Sequence, residues 1–259
     1  MPMSRLAALA LALTISLGTL LTPTHGAAQS ALDPGQMTDA QRQIFRAEVR
    51  AYLLNNPEVI LEAIRVLEDQ QAAAKEDQDA TLVKVNMGEI MNDGYSWVGG
   101  NPDGDITVVE FMDYRCGYCR KAFEDVKELI RTDGEIRFVV KEFPILGEAS
   151  MISSRFAIAA KQVAGDDAYE AVHDALMAFT GTPDETALKR LADGLGLKSA
   201  PILAAMDNAS VTEEIATTRA LAQRLQINGT PTFVIGNDML RGYAPLEAMR
   251  EIVKTARSE

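Results

Sequence analysis

Two cysteines occur in the 259 residues, three positions apart, in Cys116-Gly117-Tyr118-Cys119. Residues i and i+3 share a helix face, so the two sulfurs can meet. The pair stands where an apolar strand pattern, Ile106 to Met112, gives way to a helical one, Arg120 to Ile130. At a helix start, unpaired N–H groups and the helix dipole favour a thiolate. Arg115, Arg120 and Lys121 add positive charge nearby. A Cys-x-x-Cys in this setting reads as a redox pair, with Cys116 as nucleophile and Cys119 as resolving thiol. A zinc site needs about four ligands, and apart from the two cysteines the chain has His25 and His173 alone, the first of them in the leader. A purely structural disulfide of this spacing would constrain the unfolded chain very little.

Glu110 lies six residues before Cys116 and shares a strand parity with Ile106, Val108 and Met112. A carboxyl on that face is desolvated and its pKa raised. It either exchanges protons with the thiols or reaches water at the strand end. His173 falls on a helical segment without a second histidine or cysteine, which reads as a partly exposed helix residue.

The elements that must position these groups follow from periodicity. Tyr95 to Val98 reads as a first short strand, closed by Gly99-Gly100-Asn101-Pro102. In Ile106 to Met112 both parities are mostly apolar, as in a strand covered on both faces. The helix after Cys119 presents Ala122, Phe123, Val126 and Ile130 and stops at Thr132-Asp133-Gly134. Ile136 to Phe143 is the next strand, which makes a βαβ unit with a parallel pair. From about Ala149 to Leu225 the pattern is helical, over 151–164, 167–179, 184–195, 199–206 and 211–225. Within Asn228 to Gly236, a strand run headed by Pro231 joins Met239 to Gly242 through a short Gly-Asn-Asp turn as a hairpin. Leu246 to Ala256 closes the chain as an amphipathic helix.

Residues 1–28 read as a secretory leader, with Arg5, an apolar run Leu6 to Leu21 and the small residues Gly26-Ala27-Ala28. The run is short for a membrane span, so cleavage and export to an oxidising compartment, the periplasm, are expected. The net charge is −12, and loss of Arg5 makes it more negative, against nucleic acid or anionic lipid as partners. After a lead at Ala31 to Gln36, Thr38 and Gln41 form a capping box. One helix carries Ile44, Phe45, Val49, Tyr52 and Leu53, and a second, from Pro57, carries Ile60, Ile64 and Leu67. Glu68 to Asp79 reads as a helical or partly melted polar connector, and Leu82 to Asn92 as weakly helical or irregular. Two such short helices need either the main body or another copy of the chain to cover their apolar stripes. The polar connector favours self-association.

From about Ser96 onward, the order strand, Cys-x-x-Cys helix, strand, helical insert, Thr-Pro hairpin and final helix resembles the DsbA-like disulfide oxidoreductases. The resemblance rests on Glu110-Phe111 before Cys116-Gly117-Tyr118-Cys119, and on Gly229-Thr230-Pro231-Thr232-Phe233. It implies an α/β thioredoxin fold with an inserted helical domain, preceded by an N-terminal helical oligomerisation arm. With the leader and arm read above, the boundaries are 1–28 for the leader, 29–80 for arm and connector, and 81–259 for the body with its insert at about 149–225. It further implies that Pro231 is cis and faces the cysteines, and that Thr230 pairs through its backbone with a substrate peptide. Glu110 takes the place of the family's buried acid and Lys141 that of its basic partner. The redox-active disulfide Cys116–Cys119 would be the sole redox group, without cofactor or metal.

The strongly oxidising members carry Pro-His between the cysteines. Gly117-Tyr118 in that place implies a milder couple. With threonine before the proline, it resembles isomerases of the DsbC type, and the arm ahead of a DsbA-like body resembles the ScsC-like and Com1-like proteins. The leading expectation is an oligomeric disulfide isomerase, dimer or trimer, acting on unfolded or misoxidised secreted proteins. A membrane thiol reductase of the DsbD or ScsB type would keep it reduced. The alternatives are a thiol oxidase or reductase acting singly, and a holdase-like peptide-binding module.

Overall fold

The computed structural model describes residues 37–258. The leader, His25 and the lead at 31–36 lie outside them. The described chain divides into two units, one up to Ala63 and one from Ile64.

In the first unit, α1 (Asp39–Asn55) opens on the expected capping box: Gln41 N–H donates to Thr38 Oγ1 at 3.3 Å and Thr38 N–H to Gln41 Oε1 at 2.9 Å. Asn56 N–H closes the helix on the Tyr52 carbonyl at 2.8 Å. Ile44, Phe45, Val49 and Tyr52 stay exposed. Helix α2 (Glu58–Met91) begins in this unit and runs unbroken for 34 residues. The polar stretch from Glu68 is therefore fully helical, as is Leu82 to Met91, so of the two readings given for each segment the helical one holds. The physical reason is propensity: alanine, glutamine and glutamate dominate the middle of α2, and it contains no proline. Asp79, Val83, Asn86 and Ile90 are its buried positions, spaced four, three, four. Two of them are polar, which hid the stripe.

The second unit is built on a five-stranded sheet in the order β1-β3-β2-β4-β5, comprising β1 (Trp97–Gly100), β2 (Ile106–Met112), β3 (Ile136–Glu142), β4 (Thr232–Ile235) and β5 (Asp238–Arg241). β2 and β3 pair in parallel, as a βαβ unit requires, and the other pairings are antiparallel. β1 starts two residues later than the sequence pattern suggests and takes in both glycines, which pair with Phe138 and Arg137. Gly100 has φ +69°, and a Cβ there would collide with the Ile136 carbonyl, so the strand end needs glycine.

Period-two alternation divides β2 between two cores. Val108 and Met112 join Phe138, Val140 and Phe233 on one face, under Val126 and Leu129 of α3 (Gly117–Asp133), Met249 and Val253 of α9 (Leu246–Ala256), and Phe156 and Tyr169 of the insert. Val109 and Phe111 join Val139 and Val234 on the other, under Val83 and Ile90 of α2 and Leu221 and Leu225. The insert comprises α4 (Glu148–Ala164), α5 (Asp166–Ala178), α6 (Glu185–Gly194), α7 (Ser199–Ala205) and α8 (Ala209–Arg224). Asp79 of α2 holds Arg241 of β5 with two bonds, at 2.8 and 3.0 Å. That pair fastens the second half of α2 to the edge strand next to Pro231, since Arg241 is the register partner of Thr232.

Candidate functional site

β2 delivers the chain to a tight turn. Cys116 N–H bonds the Asp113 carbonyl at 3.0 Å. The buried Asp113 carboxylate accepts from Arg115 N–H at 2.8 Å, and from the N–H groups of Ile145 and Leu146 at 2.8 and 3.0 Å. This clamp ties the turn to the loop after β3. Cys116 then stands as N-cap of α3, extended at φ −74°, ψ 119°, and Cys119 lies one turn in. Both are free thiols. Cys119 is wholly buried and Cys116 nearly so, at 7 % exposure. Tyr118 is exposed beside them.

The Cys116 thiol is pushed down to about 5, first by the Cys119 side chain hydrogen-bonding its sulfur, with help from the backbone N–H groups of Cys119 and Tyr118 and against burial. Donation of its own proton to the Thr230 carbonyl, 3.1 Å away, favours the neutral thiol, but it is one bond against several aimed at the anion. Cys119 is driven far above the ordinary thiol value, first by burial and then by its bond to Cys116. One thiolate and one locked thiol are what a nucleophile and a resolving group need.

Thr230–Pro231 is a cis peptide bond, with Pro231 O accepting from Gly242 N–H at 2.9 Å. The hairpin thus brings Thr230 and Pro231 to Cys116 across 114 residues of sequence. Glu110 is buried at 3 % exposure, and its Oε1 has no hydrogen-bond partner among the described residues. Burial, and then the charge on Cys116, push its carboxyl up to about 8. The Glu110 charge in turn raises the Cys119 thiol.

Lys141 is not brought to this group. The parallel register sets it beside Phe111, whereas Val140 stands beside Glu110. Its Nζ lies on the opposite sheet face, on Asp93 Oδ2 at 2.5 Å and the Glu89 carbonyl at 2.9 Å. The arginines also do something other than expected. Arg120 donates to the Tyr114 carbonyl at 2.8 Å and to the Phe179 carbonyl, and Arg115 to the Gly181 carbonyl at 3.0 Å. They fasten the turn to the α5–α6 loop of the insert. Lys121 lies over the Tyr243 ring.

Sequence reasoning missed a buried polar network behind the turn. Glu142 Oε1 accepts from Tyr114 Oη at 2.8 Å and Tyr169 Oη at 2.6 Å, and Oε2 from Ser154 Oγ at 2.6 Å. Burial pushes Glu142 up to about 7, against those three bonds. The single hydroxyl proton of Tyr114 goes to Glu142, so the Tyr114 oxygen accepts from His173 Nδ1 at 3.0 Å. His173 is buried, not partly exposed, and burial pushes it down to about 4, so the ring is neutral. It stacks with Tyr169 and Trp97. The available signal was Glu142's parity, shared with Phe138 and Val140. Among the described residues no cluster of His, Cys, Asp and Glu could hold a metal ion, and no helix is long and apolar enough to cross a membrane.

A parallel βαβ core, a Cys-x-x-Cys pair at the helix start and a cis-proline loop facing the first sulfur define a thioredoxin-fold thiol–disulfide oxidoreductase. The chain belongs to the DSBA-like thioredoxin domain family, whose model matches residues 107–254. A second match, over residues 41–74, is to the copper resistance protein ScsC N-terminal domain. A thioredoxin-like oxidoreductase from Silicibacter pomeroyi DSS-3 is 41% identical, with TM-score 0.63, covering 67% of this chain and 99% of that one. BcfH of Salmonella enterica Typhimurium shares the fold at 24% identity and TM-score 0.71, covering 84% of this chain and 96% of that one. A curated relative, Na(+)/H(+) antiporter NhaA 3 of Salinispora tropica, is 28% identical over 159 residues, 61% of this chain. The chain spans about a quarter of that antiporter's length, 24%.

Proposed function

We propose that the chain is a periplasmic, self-associating protein disulfide isomerase working through Cys116 and Cys119. The observation that carries the redox roles is geometric: Cys116 caps α3 beside the Thr230–Pro231 loop and Cys119 is wholly buried one turn in, which favours a thiolate at the first sulfur and a proton on the second. Cys116 sulfur attacks one sulfur of a substrate disulfide. That S–S bond breaks, a Cys116–substrate disulfide forms, and the other substrate sulfur leaves as thiolate and takes a proton from water. The substrate backbone pairs with Thr230 beside Pro231. Attack on the mixed disulfide by another substrate thiolate completes an isomerisation and returns Cys116.

The escape route is attack by Cys119, which must first lose its proton. Glu110 is the acceptor we assign. While Cys116 is a thiolate, its charge helps hold Glu110 protonated. Once that sulfur is consumed in the mixed disulfide, the repulsion is gone and Glu110 ionises more readily. The base therefore arms at the step that needs it. The escape leaves a Cys116–Cys119 disulfide and a reduced substrate, so a membrane thiol reductase must renew the dithiol.

The arm supports the isomerase reading. Ile44, Phe45, Val49, Ile60, Ile64 and Leu67 are exposed apolar groups on a segment whose sequence matches the ScsC N-terminal domain from residue 41 to 74. Burying them against further copies would hold several Cys116 sites in one dimer or trimer. One observation favours the runner-up, a thiol oxidase: a thiolate as stable as that of Cys116 stabilises the reduced form and makes the disulfide more oxidising. The test is light-scattering mass with refolding of a scrambled-disulfide substrate, on the chain from Gln29 and on one lacking Ala31 to Glu76. The isomerase reading expects an oligomer that refolds the substrate and a folded monomer that does not. A monomeric parent, or equal isomerisation by both, hands the assignment to the oxidase.

A further inference from the structure

Behind the thiols, on the sheet face covered by α3 and α5, lies a cavity of about 890 Å³, within the size range of small-molecule sites. Neither cysteine lines it. Phe123, Val126, Ile130, Phe138 and Trp97 give it apolar walls, and Glu110 and His173 are the buried polar groups of its lining. Glu110 is more than nine-tenths buried and its Oε1 has no partner among the described residues. An unsatisfied buried carboxyl is costly, so this oxygen is a vacant acceptor reached from the cavity.

The rim settles the sign of the charge. Its two basic residues are already paired, Lys127 with Asp174 at 2.5 Å and Arg131 with Glu128 at 2.7 Å. Glu124, Asp167 and Glu170 are exposed on the same rim. An anion would meet repulsion at the mouth and at Glu110. A neutral apolar molecule would leave Glu110 unsatisfied. A cation with an apolar body uses the walls, the rim and the vacant acceptor together.

We propose that this cavity binds an organic cation, a primary amine on an apolar body, with its ammonium donating to Glu110 Oε1. No bond of the ligand is made or broken, and the one bond lost is the Glu110 O–H. An ammonium beside Glu110 favours its carboxylate, so binding expels the Glu110 proton to solvent. The ligand thereby acts on the carboxyl that faces the thiols, from the side away from the peptide-binding mouth.

Trp97 is the sole tryptophan of the chain and lines the cavity, so its fluorescence reports occupancy without any thiol assay. The probe is cyclohexylmethylammonium, titrated into the reduced full chain, with cyclohexylmethanol as neutral control. The expected result is a saturable change for the amine and at least a tenfold weaker response to the alcohol, about the worth of one charged hydrogen bond. Glu110→Gln should weaken amine binding by roughly tenfold or more. The doubly substituted rim, Asp167→Lys with Glu170→Lys, should weaken it several-fold at low salt with unchanged melting, and this variant leaves the interior untouched. No saturable change, equal response to the alcohol, or indifference to both sets of substitutions would overturn the proposal and leave a cavity that holds water alone.

Discussion

Replacing Glu110 by glutamine keeps its shape and removes its titration, which makes the cost of its burial measurable. The carboxyl rises from an ordinary 4.5 to about 8 in the folded, reduced protein, through burial first and the Cys116 charge second. Below pH 4.5 both folded and unfolded forms are protonated and the linkage contributes nothing. Between 4.5 and 8 the unfolded chain gives up the proton and the folded chain keeps it. The folded state then binds more protons, and stability falls as pH rises. Above 8 the difference is constant. At ~1.36 kcal/mol per pH unit the ceiling is about 5 kcal/mol, and water entering the adjoining cavity lowers it to about 2–5 kcal/mol. Glu142 and Glu214 are also raised by burial, but they are present in both proteins and cancel in the difference. The assay is urea denaturation of parent and Glu110→Gln in excess reductant from pH 4.5 to 8.5. The variant should gain on the parent steadily across that window. A stability difference flat with pH would refute the buried, protonated Glu110 on which the proton-transfer role rests.

The remaining predictions concern other groups of the site and its supports. Cys119→Ser should accumulate mixed disulfides with substrates because the escape route is closed, and Cys116→Ser should form none; the reverse pattern on non-reducing gels would exchange the two roles. Tyr114→Phe removes one of the three bonds to Glu142 and should cost about 1–3 kcal/mol and raise the apparent Glu142 pKa above 7, read by denaturation across pH; an unchanged profile would mean the network does not hold the turn. Asp79→Ala leaves Arg241 without its carboxylate and should destabilise by about 1–3 kcal/mol. In the parent, burial acts to raise Asp79 and the Arg241 pair more than offsets it, so the net shift is downward. That contribution is present above the unfolded pKa and fades as pH falls through the folded one, so the parent's advantage over Asp79→Ala should shrink in acid.

Much of the second unit was legible because its elements are strongly periodic and punctuated. Ile106 to Met112 is β2 as expected, and Leu246 to Ala256 is α9 to the residue. The cysteine spacing and the Thr-Pro hairpin identified the groups that meet at the site, although no local pattern could place Thr230 3.1 Å from a sulfur 114 residues away. What was hidden depends on register and on polar burial. Lys141 and Val140 differ by one position, yet one step along a strand changes the sheet face, and only the pairing shows that Val140 neighbours Glu110. His173 looked solitary because its partners, Tyr114, Tyr169 and Trp97, carry no ligand signature. Asp79 and Asn86 interrupt the apolar stripe of α2 because Arg241 and Arg224 satisfy them, and a hydrophobic pattern cannot register such partners.

The central claim is that Cys116 attacks and Cys119 resolves. It is tested most directly by alkylating the reduced protein with iodoacetamide in brief pulses across pH and locating the adduct by peptide mass. The account predicts modification at Cys116 with a midpoint near pH 5, and protection of Cys119 throughout. A midpoint at the ordinary thiol value, or earlier modification of Cys119, would contradict it.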